Sequence, residues 1–114
     1  MLFRSLFDVP AELASPVSSF ERPSSKRLMV FSGRSNEDLA QRICERLGVE
    51  LGRTTLKSFA NGEIYARFEE SVRGADVFLV QSCVDPVNRN LMELMIMADA
   101  AMLGSAKRVT AVVP

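Results

Sequence analysis

The sequence predicts an α/β fold in which a mainly parallel sheet is flanked by helices. Apolar runs at residues 27–31 and 76–81 are each followed by a helical pattern, and a third run at 108–113 follows the second helix. Strands that alternate with helices in this way indicate βα units. An Asn-Gly pair between two alternating segments adds a β-hairpin to this layout.

Composition limits the classes of function. The 114 residues suffice for one domain, and 47 % hydrophobic with 25 % charged residues is typical of a globular protein. Fourteen basic residues balance fourteen acidic ones, which gives no support for a nucleic-acid or membrane partner. The absence of histidine excludes His-based metal sites and hydrolytic triads from this sequence. Cys44 and Cys83 lack metal-motif spacing, so we expect reduced thiols and a cytoplasmic location.

Residues 1–25 differ from the rest of the chain. They are rich in proline and serine and show no sustained period, so we expect a disordered extension before a domain at 26–114. Asp8, Pro10 and Glu12 interrupt the apolar run that a signal peptide would need, and the acidic residues also argue against a transit peptide.

The first βα unit begins at the strand predicted at residues 27–31. Ser35 or Asn36 can cap the helix that follows, and Gly48 can end it. Its apolar residues repeat every four positions at Leu39, Ile43 and Leu47. A Ser-Gly turn before a helix can bind phosphate, but neither GxGxxG nor a Walker sequence is present, which favours a simple loop.

The second helix is predicted to begin at Pro86, with Asn88 or Asn90 as a cap, and to end at Gly104. Apolar residues cover nearly its whole circumference, with two acidic exceptions, Glu93 and Asp99. Burial on more than one side follows, either within the core alone or against another domain or subunit. The strand before this helix, at 76–81, is expected in the middle of the sheet.

The stretch from Phe59 to Glu63 lies where the hairpin turns. By local sequence alone a plain turn is the favoured interpretation, since Asn-Gly is a common hairpin signal. The alternative is a nucleobase site, because an aromatic face can stack on a base while an amide and a carboxylate bind its edge.

Several motifs in unbroken order resemble the amino-terminal part of the ribose-phosphate pyrophosphokinases, and together they cover about residues 26–114. They are FSGRSNEDLA at 31–40, FANGE at 59–63, ESVRGAD at 70–76, VQS at 80–82, NLMELMIM at 90–97 and SAKRVTAVVP at 105–114. The resemblance implies a phosphoribosyltransferase-like half-domain. It also implies a magnesium-dependent enzyme that transfers diphosphate from ATP to ribose 5-phosphate and assembles as dimers within hexamers.

The resemblance assigns ATP-binding roles within the turn. Phe59 would stack on the adenine, Asn61 and Glu63 would bind its amino edge, and Gly62 would be the turn residue. Many bacterial members have Asp where this chain has Asn61, but an amide both donates and accepts, so the role survives.

The resemblance also places a regulatory phosphate site at Ser71, Arg73 and Ser105. Arginine supplies a fork of donors that suits phosphate, and the serines add hydroxyls. The alternative is that Arg73 is a solvated loop residue, because not every class in the family is regulated through this site.

The family's catalytic loop and magnesium ligands would follow Pro114, so no catalytic or metal-binding residue is assigned here, and we expect a fragment that is inactive alone. The alternative function is a non-catalytic protein that associates with the synthetase. A free-standing flavodoxin-like or receiver-like domain is disfavoured, because it would need acidic residues at the ends of its strands.

Overall fold

The computed structural model describes residues 27–114, so the extension expected at residues 1–25 lies outside the described residues. Within this range five strands and two helices follow one another along the chain. They are β1 (Leu28–Ser32), α1 (Glu37–Leu47), β2 (Thr54–Ser58), β3 (Ile64–Phe68), β4 (Asp76–Val80), α2 (Val87–Leu103) and β5 (Arg108–Val112).

Three strands form a parallel sheet in the order β1-β4-β5. The central strand β4 is the most deeply buried, with Val77, Leu79 and Val80 all inaccessible to solvent or nearly so. A parallel strand covered on both faces has a nearly continuous apolar sequence, which is why the strand could be placed from its composition. The predicted parallel sheet and the central position of β4 are confirmed.

Strands β2 and β3 form a separate antiparallel hairpin, in which Ser58 pairs with Ile64 and Thr54 with Phe68. Leu56, Ala66 and Phe68 pack against the core, and the Phe68 ring lies 4.5 Å from that of Phe31, centroid to centroid. The predicted hairpin is therefore confirmed, and its apolar face covers one side of the sheet.

The two helices lie on opposite faces of the sheet. Alternate residues of β1 point to opposite faces, so Val30 packs with Ala40 and Cys44 of α1, whereas Phe31 packs with Met97 and other residues of α2. Burying each of the larger side chains contributes about 1.5 to 3 kcal/mol. The result is a layered α/β structure.

The amino-terminal cap was predicted correctly for α1 but not for α2. Asn36 caps α1 as predicted, since its Oδ1 accepts a hydrogen bond from the Leu39 N–H at 3.2 Å. At α2 no side chain caps the helix, and Asn90 donates instead to the Val84 carbonyl at 2.8 Å. The cap predicted from Asn88 or Asn90 is wrong, because the asparagine is used to hold the preceding loop.

Helix α2 is buried along one stripe, which consists of Asn90, Glu93, Leu94, Met97 and Ala101. Its other side exposes a set of large apolar residues, namely Leu91, Met92, Met95, Met102 and Leu103. The expected contact of this side with another domain or subunit stays a prediction. Neither helix of the described range has the length and hydropathy that crossing a membrane requires.

Candidate functional site

Residues 59–63, hereafter the hairpin turn, join β2 to β3. The Phe59 N–H donates to the Glu63 carbonyl at 2.8 Å, and the Gly62 N–H donates to the Phe59 carbonyl at 2.9 Å. The side-chain oxygen of Asn61 accepts from the Glu63 N–H at 3.1 Å. Gly62 has φ 93°, a conformation that residues with a Cβ rarely adopt. The sequence order Asn-Gly thus determines the shape of the turn.

The hairpin turn presents three different chemical groups to solvent. The Phe59 side chain is 47 % exposed, and Asn61 and Glu63 are exposed as well. Among the described residues, neither the Glu63 carboxylate nor the Asn61 amide nitrogen has a hydrogen-bond partner. An aromatic face, an N–H donor and a carboxylate acceptor are therefore available together, as recognition of a nucleobase requires.

Lys57 and Tyr65 both contact the Phe59 ring. Neither was predicted from the sequence to belong to the site. The Tyr65 ring meets Phe59 edge-on, with centroids 6.2 Å apart. The Lys57 Nζ lies 5.6 Å from the Phe59 centroid and 5.2 Å from the Tyr65 centroid, within range of a cation–π contact. Lys57 and Tyr65 are directly opposite in the hairpin register, so the register predicted from the turn could have paired them.

A buried ionic network lies beside the base of the hairpin turn. The Glu93 side chain is 1 % exposed, and its Oε1 lies 2.7 Å from the Arg34 Nη2. Arg34 also donates to the carboxylate from Nε at 2.8 Å and from its backbone N–H at 2.8 Å. Gln81 adds a further hydrogen bond at 3.0 Å. Both carboxylate oxygens are thus fully paired, which burial of a charge requires.

The same network connects the loops that follow β1 and β4. Gln81 Oε1 accepts from the Ser35 hydroxyl at 2.6 Å and from the Ser35 N–H at 3.2 Å. A Cβ at Gly33 would lie 2.1 Å from this oxygen, so any larger residue there would displace the Gln81 side chain. The backbone N–H of Gly33 donates to the Val80 carbonyl at 2.9 Å. With the N–H groups of residues 33–35 occupied, the loop does not offer the free amides that phosphate binding would use.

Arg34 also contacts the hairpin. Its Nη2 donates to the Ser58 hydroxyl at 3.1 Å, and Ser58 is the last residue of β2. The sequence analysis missed this network, although a signal exists: Glu93 lies three residues after Asn90 and one before Leu94, which places it on the buried stripe. An acidic residue on a buried stripe requires a partner.

The predicted regulatory residues lie together at the amino-terminal edge of the sheet, where the loops before β4 and β5 meet. The Gly74 N–H donates to the Ser105 carbonyl at 2.9 Å, and the Ser71 hydroxyl accepts from the Arg73 N–H at 3.4 Å. Ser71, Arg73 and Ser105 are all exposed. The Arg73 guanidinium has no acidic partner among residues 27–114, so it is available to an anion.

The two candidate sites are separated by the length of β3. This strand has five residues and begins at the hairpin turn, which gives a separation on the order of 15 Å. Between residues 27 and 114 no three carboxylate, thiol or imidazole groups gather in a way that could hold a metal. This part of the chain therefore has no cluster of side chains for a magnesium ion.

Comparison with known proteins gives a consistent result. The family described as the N-terminal domain of ribose phosphate pyrophosphokinase matches residues 28–114. The chain is 57 % identical to the chloroplastic ribose-phosphate pyrophosphokinase 1 of Oryza sativa subsp. japonica over 88 residues, which are 77 % of this chain and 22 % of that protein. The ribose-phosphate pyrophosphokinase of Corynebacterium efficiens is 52 % identical over 82 % of this chain and 29 % of its own length.

A solved structure agrees. The crystal structure of phosphoribosylpyrophosphate synthetase from Mycobacterium smegmatis superposes with a TM-score of 0.76 at 50 % identity, covering 78 % of this chain and 30 % of that one. The chain spans about a quarter of the length of its curated relatives. The match in sequence, together with the α/β architecture, shows that this chain belongs to the family of the N-terminal domain of ribose phosphate pyrophosphokinase.

Proposed function

We propose that this chain forms the ATP-binding amino-terminal part of a ribose-phosphate diphosphokinase. Such an enzyme transfers diphosphate from ATP to ribose 5-phosphate and makes phosphoribosyl pyrophosphate for nucleotide biosynthesis. The main support is the hairpin turn, which exposes an aromatic ring, an amide and a carboxylate that has no partner among residues 27–114. Family membership supports it.

Each residue of the turn has a role in this proposal. Phe59 stacks on the adenine, and the Glu63 carboxylate accepts a hydrogen bond from its exocyclic amino group. Because the Asn61 oxygen is already used within the turn, its amide nitrogen is the group that donates to a ring nitrogen. Gly62 keeps the backbone in the shape that brings these groups together. Guanine carries a carbonyl in place of the amino group, so the carboxylate favours adenine.

The regulatory phosphate is proposed at Ser71, Arg73 and Ser105. The exposed Arg73 guanidinium has no acidic partner among residues 27–114, and with the two exposed serine hydroxyls of the same pair of loops it has the donors that phosphate needs. The exposed apolar side of α2 supports assembly into the dimers and hexamers that the family resemblance implies.

We propose magnesium as the ion that accompanies ATP, and ribose 5-phosphate as the second substrate, on the basis of the family alone. A cytoplasmic location is proposed on the same basis. Two plant relatives, from Oryza sativa subsp. japonica and Arabidopsis thaliana, are named as chloroplastic, so cell fractionation is the test of location.

Nuclear magnetic resonance of the isotope-labelled chain tests the nucleotide site. Addition of ATP should shift the amide resonances of residues 59–63, whereas ribose 5-phosphate should leave them unchanged. Glu63→Gln should reduce the preference for ATP over GTP, because the new amide can also donate to the guanine carbonyl. An ATP titration that shifts none of these resonances at millimolar concentration would contradict the proposal.

The chain by itself should form no phosphoribosyl pyrophosphate from ATP, ribose 5-phosphate and magnesium. Phosphoryl-type transfer depends on metal ions and cations placed around the developing charge, and residues 27–114 contain no cluster of three potential metal ligands. Measurable product from the pure chain would show that the reactive groups lie within this sequence.

A further inference from the structure

Arg34 joins the buried Glu93 to Ser58, the last residue of β2, beside the hairpin turn. One side of its guanidinium is paired with Glu93 through Nε and Nη2. The same Nη2 donates to the Ser58 hydroxyl, one residue before the hairpin turn. Arg34 belongs to the loop after β1, so this contact crosses from the main sheet to the hairpin.

The geometry of the guanidinium makes this contact rigid. A free arginine side chain loses much rotational entropy when it forms a single hydrogen bond. Here that entropy is already lost, because Glu93 fixes the guanidinium and Gln81 in turn fixes Glu93. The Arg34 side chain is still 28 % exposed, so it reaches the surface from a buried support.

The hairpin turn has few other restraints. Residues 57–63 are all exposed, and the hydrogen bonds of the turn are local, between Phe59, Asn61, Gly62 and Glu63. These bonds determine the shape of the turn, but they do not determine its position relative to the sheet. Leu56 packs against the core two residues earlier, but among the described residues the Arg34 to Ser58 bond is the side-chain hydrogen bond that links the end of β2 to the sheet.

We propose that Arg34, supported by Glu93, is a positioning residue that holds the hairpin turn in place for the nucleotide. This inference rests on the proposed function of the turn. It adds that nucleotide affinity depends on a residue that is remote in sequence and that is not itself required to touch the base.

Two substitutions test the contact while sparing the fold. Ser58→Ala removes the acceptor and leaves the pair of Arg34 with Glu93 intact. Arg34→Lys retains the charge but loses the fork that reaches both partners. Each variant should bind ATP roughly 3- to 10-fold more weakly, the loss expected for one hydrogen bond. The double variant should bind ATP hardly more weakly than Arg34→Lys alone, because both substitutions remove the same hydrogen bond.

Hydrogen exchange supplies a readout that a general loss of stability would not produce. In Ser58→Ala the amides of Phe59 and Glu63 should exchange several-fold faster, while those of β4 and the global unfolding transition stay unchanged. Arg67→Lys is the matched control, since Arg67 lies on the same hairpin, is exposed and, within residues 27–114, has the nearby Glu69 as its one ionic partner. It should change neither exchange nor ATP binding.

The outcomes separate this inference from the proposed function. If ATP binds the wild type and Phe59→Ala weakens it, while Ser58→Ala and Arg34→Lys bind ATP normally, the positioning role is overturned and the nucleotide site stands. Unchanged exchange in the turn would also overturn it. If ATP shifts no resonance of the wild-type turn, the proposed function fails and the inference fails with it.

Discussion

Arg34 and Arg73 lie at opposite edges of the same sheet and differ in almost everything except residue type. Arg34 follows β1 and is bonded to a buried carboxylate and a serine. Arg73 precedes β4 and is exposed, without an acidic partner among the described residues. The role of each arginine therefore follows from its partners. A guanidinium bound to a buried acid holds structure, whereas one facing only water remains available to an anion.

The largest difference between the two arginines should appear in the free energy of unfolding when each is replaced by methionine. Arg34→Met leaves the Glu93 carboxylate buried without its cation. We expect a loss of about 2 to 4 kcal/mol in the free energy of unfolding. This lies in the lower part of the range for buried ion pairs because Arg34 is partly exposed. Arg73→Met should change it by less than about 0.5 kcal/mol. Urea unfolding of both variants makes the comparison, and equal losses would contradict the difference in role.

Gly33→Ala should disturb the network from its other end. The new Cβ would overlap the Gln81 side-chain oxygen, and that amide can move only by giving up its bonds to Ser35 and Glu93. We expect a cost of about 1 to 3 kcal/mol, which is typical of overpacking. A melting temperature equal to that of the wild type would show that the glutamine yields freely and that the network is not rigid.

Phosphate binding should depend on Arg73 and not on Arg34, the reverse of their effects on stability. Inorganic phosphate should shift the resonances of Ser71, Arg73 and Ser105, and Arg73→Met should abolish these shifts. Ser58→Ala, which alters the other edge, should leave them intact. Phosphate shifts that survive Arg73→Met would favour the alternative that this arginine is only a solvated loop residue.

The two cysteines provide a smaller contrast between core and surface. Burial raises the pKa of the Cys44 thiol, so its reactive thiolate is scarce at neutral pH. Cys83 is only partly buried. A thiol reagent at pH 8 should modify Cys83 rapidly and Cys44 only upon unfolding. Equal modification rates for both thiols would contradict the burial of Cys44.

The raised pKa of Cys44 also makes stability depend on pH. Because the raised pKa keeps Cys44 protonated in the folded state, its contribution to the free energy of unfolding should fall as the pH rises above about 9, the ordinary thiol value.

Much of this fold could be predicted from local patterns, because each element carried its own signal. Asn61 and Gly62 indicated the hairpin, Gly48 indicated the end of α1, and the continuous apolar run at β4 indicated a central strand. The exposed turn could also be identified from residue types alone. These features depend on neighbours in the sequence, so a single stretch was sufficient to predict each.

The network around Glu93 could not be predicted in the same way. Its members come from the β1 loop, the end of β4 and α2, and only the assembled sheet brings them together. The nearly all-apolar sequence of α2 concealed that Glu93 lies on its buried stripe. The caps expected at α2 failed for a related reason, since Asn90 is bonded to the loop before the helix.

The ATP Michaelis constant of a Phe59→Ala enzyme is the most direct test of the nucleotide site at the hairpin turn. The measurement requires a complete synthetase, for example that of Mycobacterium smegmatis with residues 27–114 in place of its own amino-terminal segment. Loss of base stacking, about 1 to 3 kcal/mol, should raise the KM for ATP roughly 5- to 150-fold and leave that for ribose 5-phosphate unchanged. Leu47→Ala, which truncates a similarly exposed apolar residue on α1, should change neither constant. An unchanged KM for ATP together with a lowered melting temperature would show that Phe59 belongs to a structural turn and not to a nucleotide site.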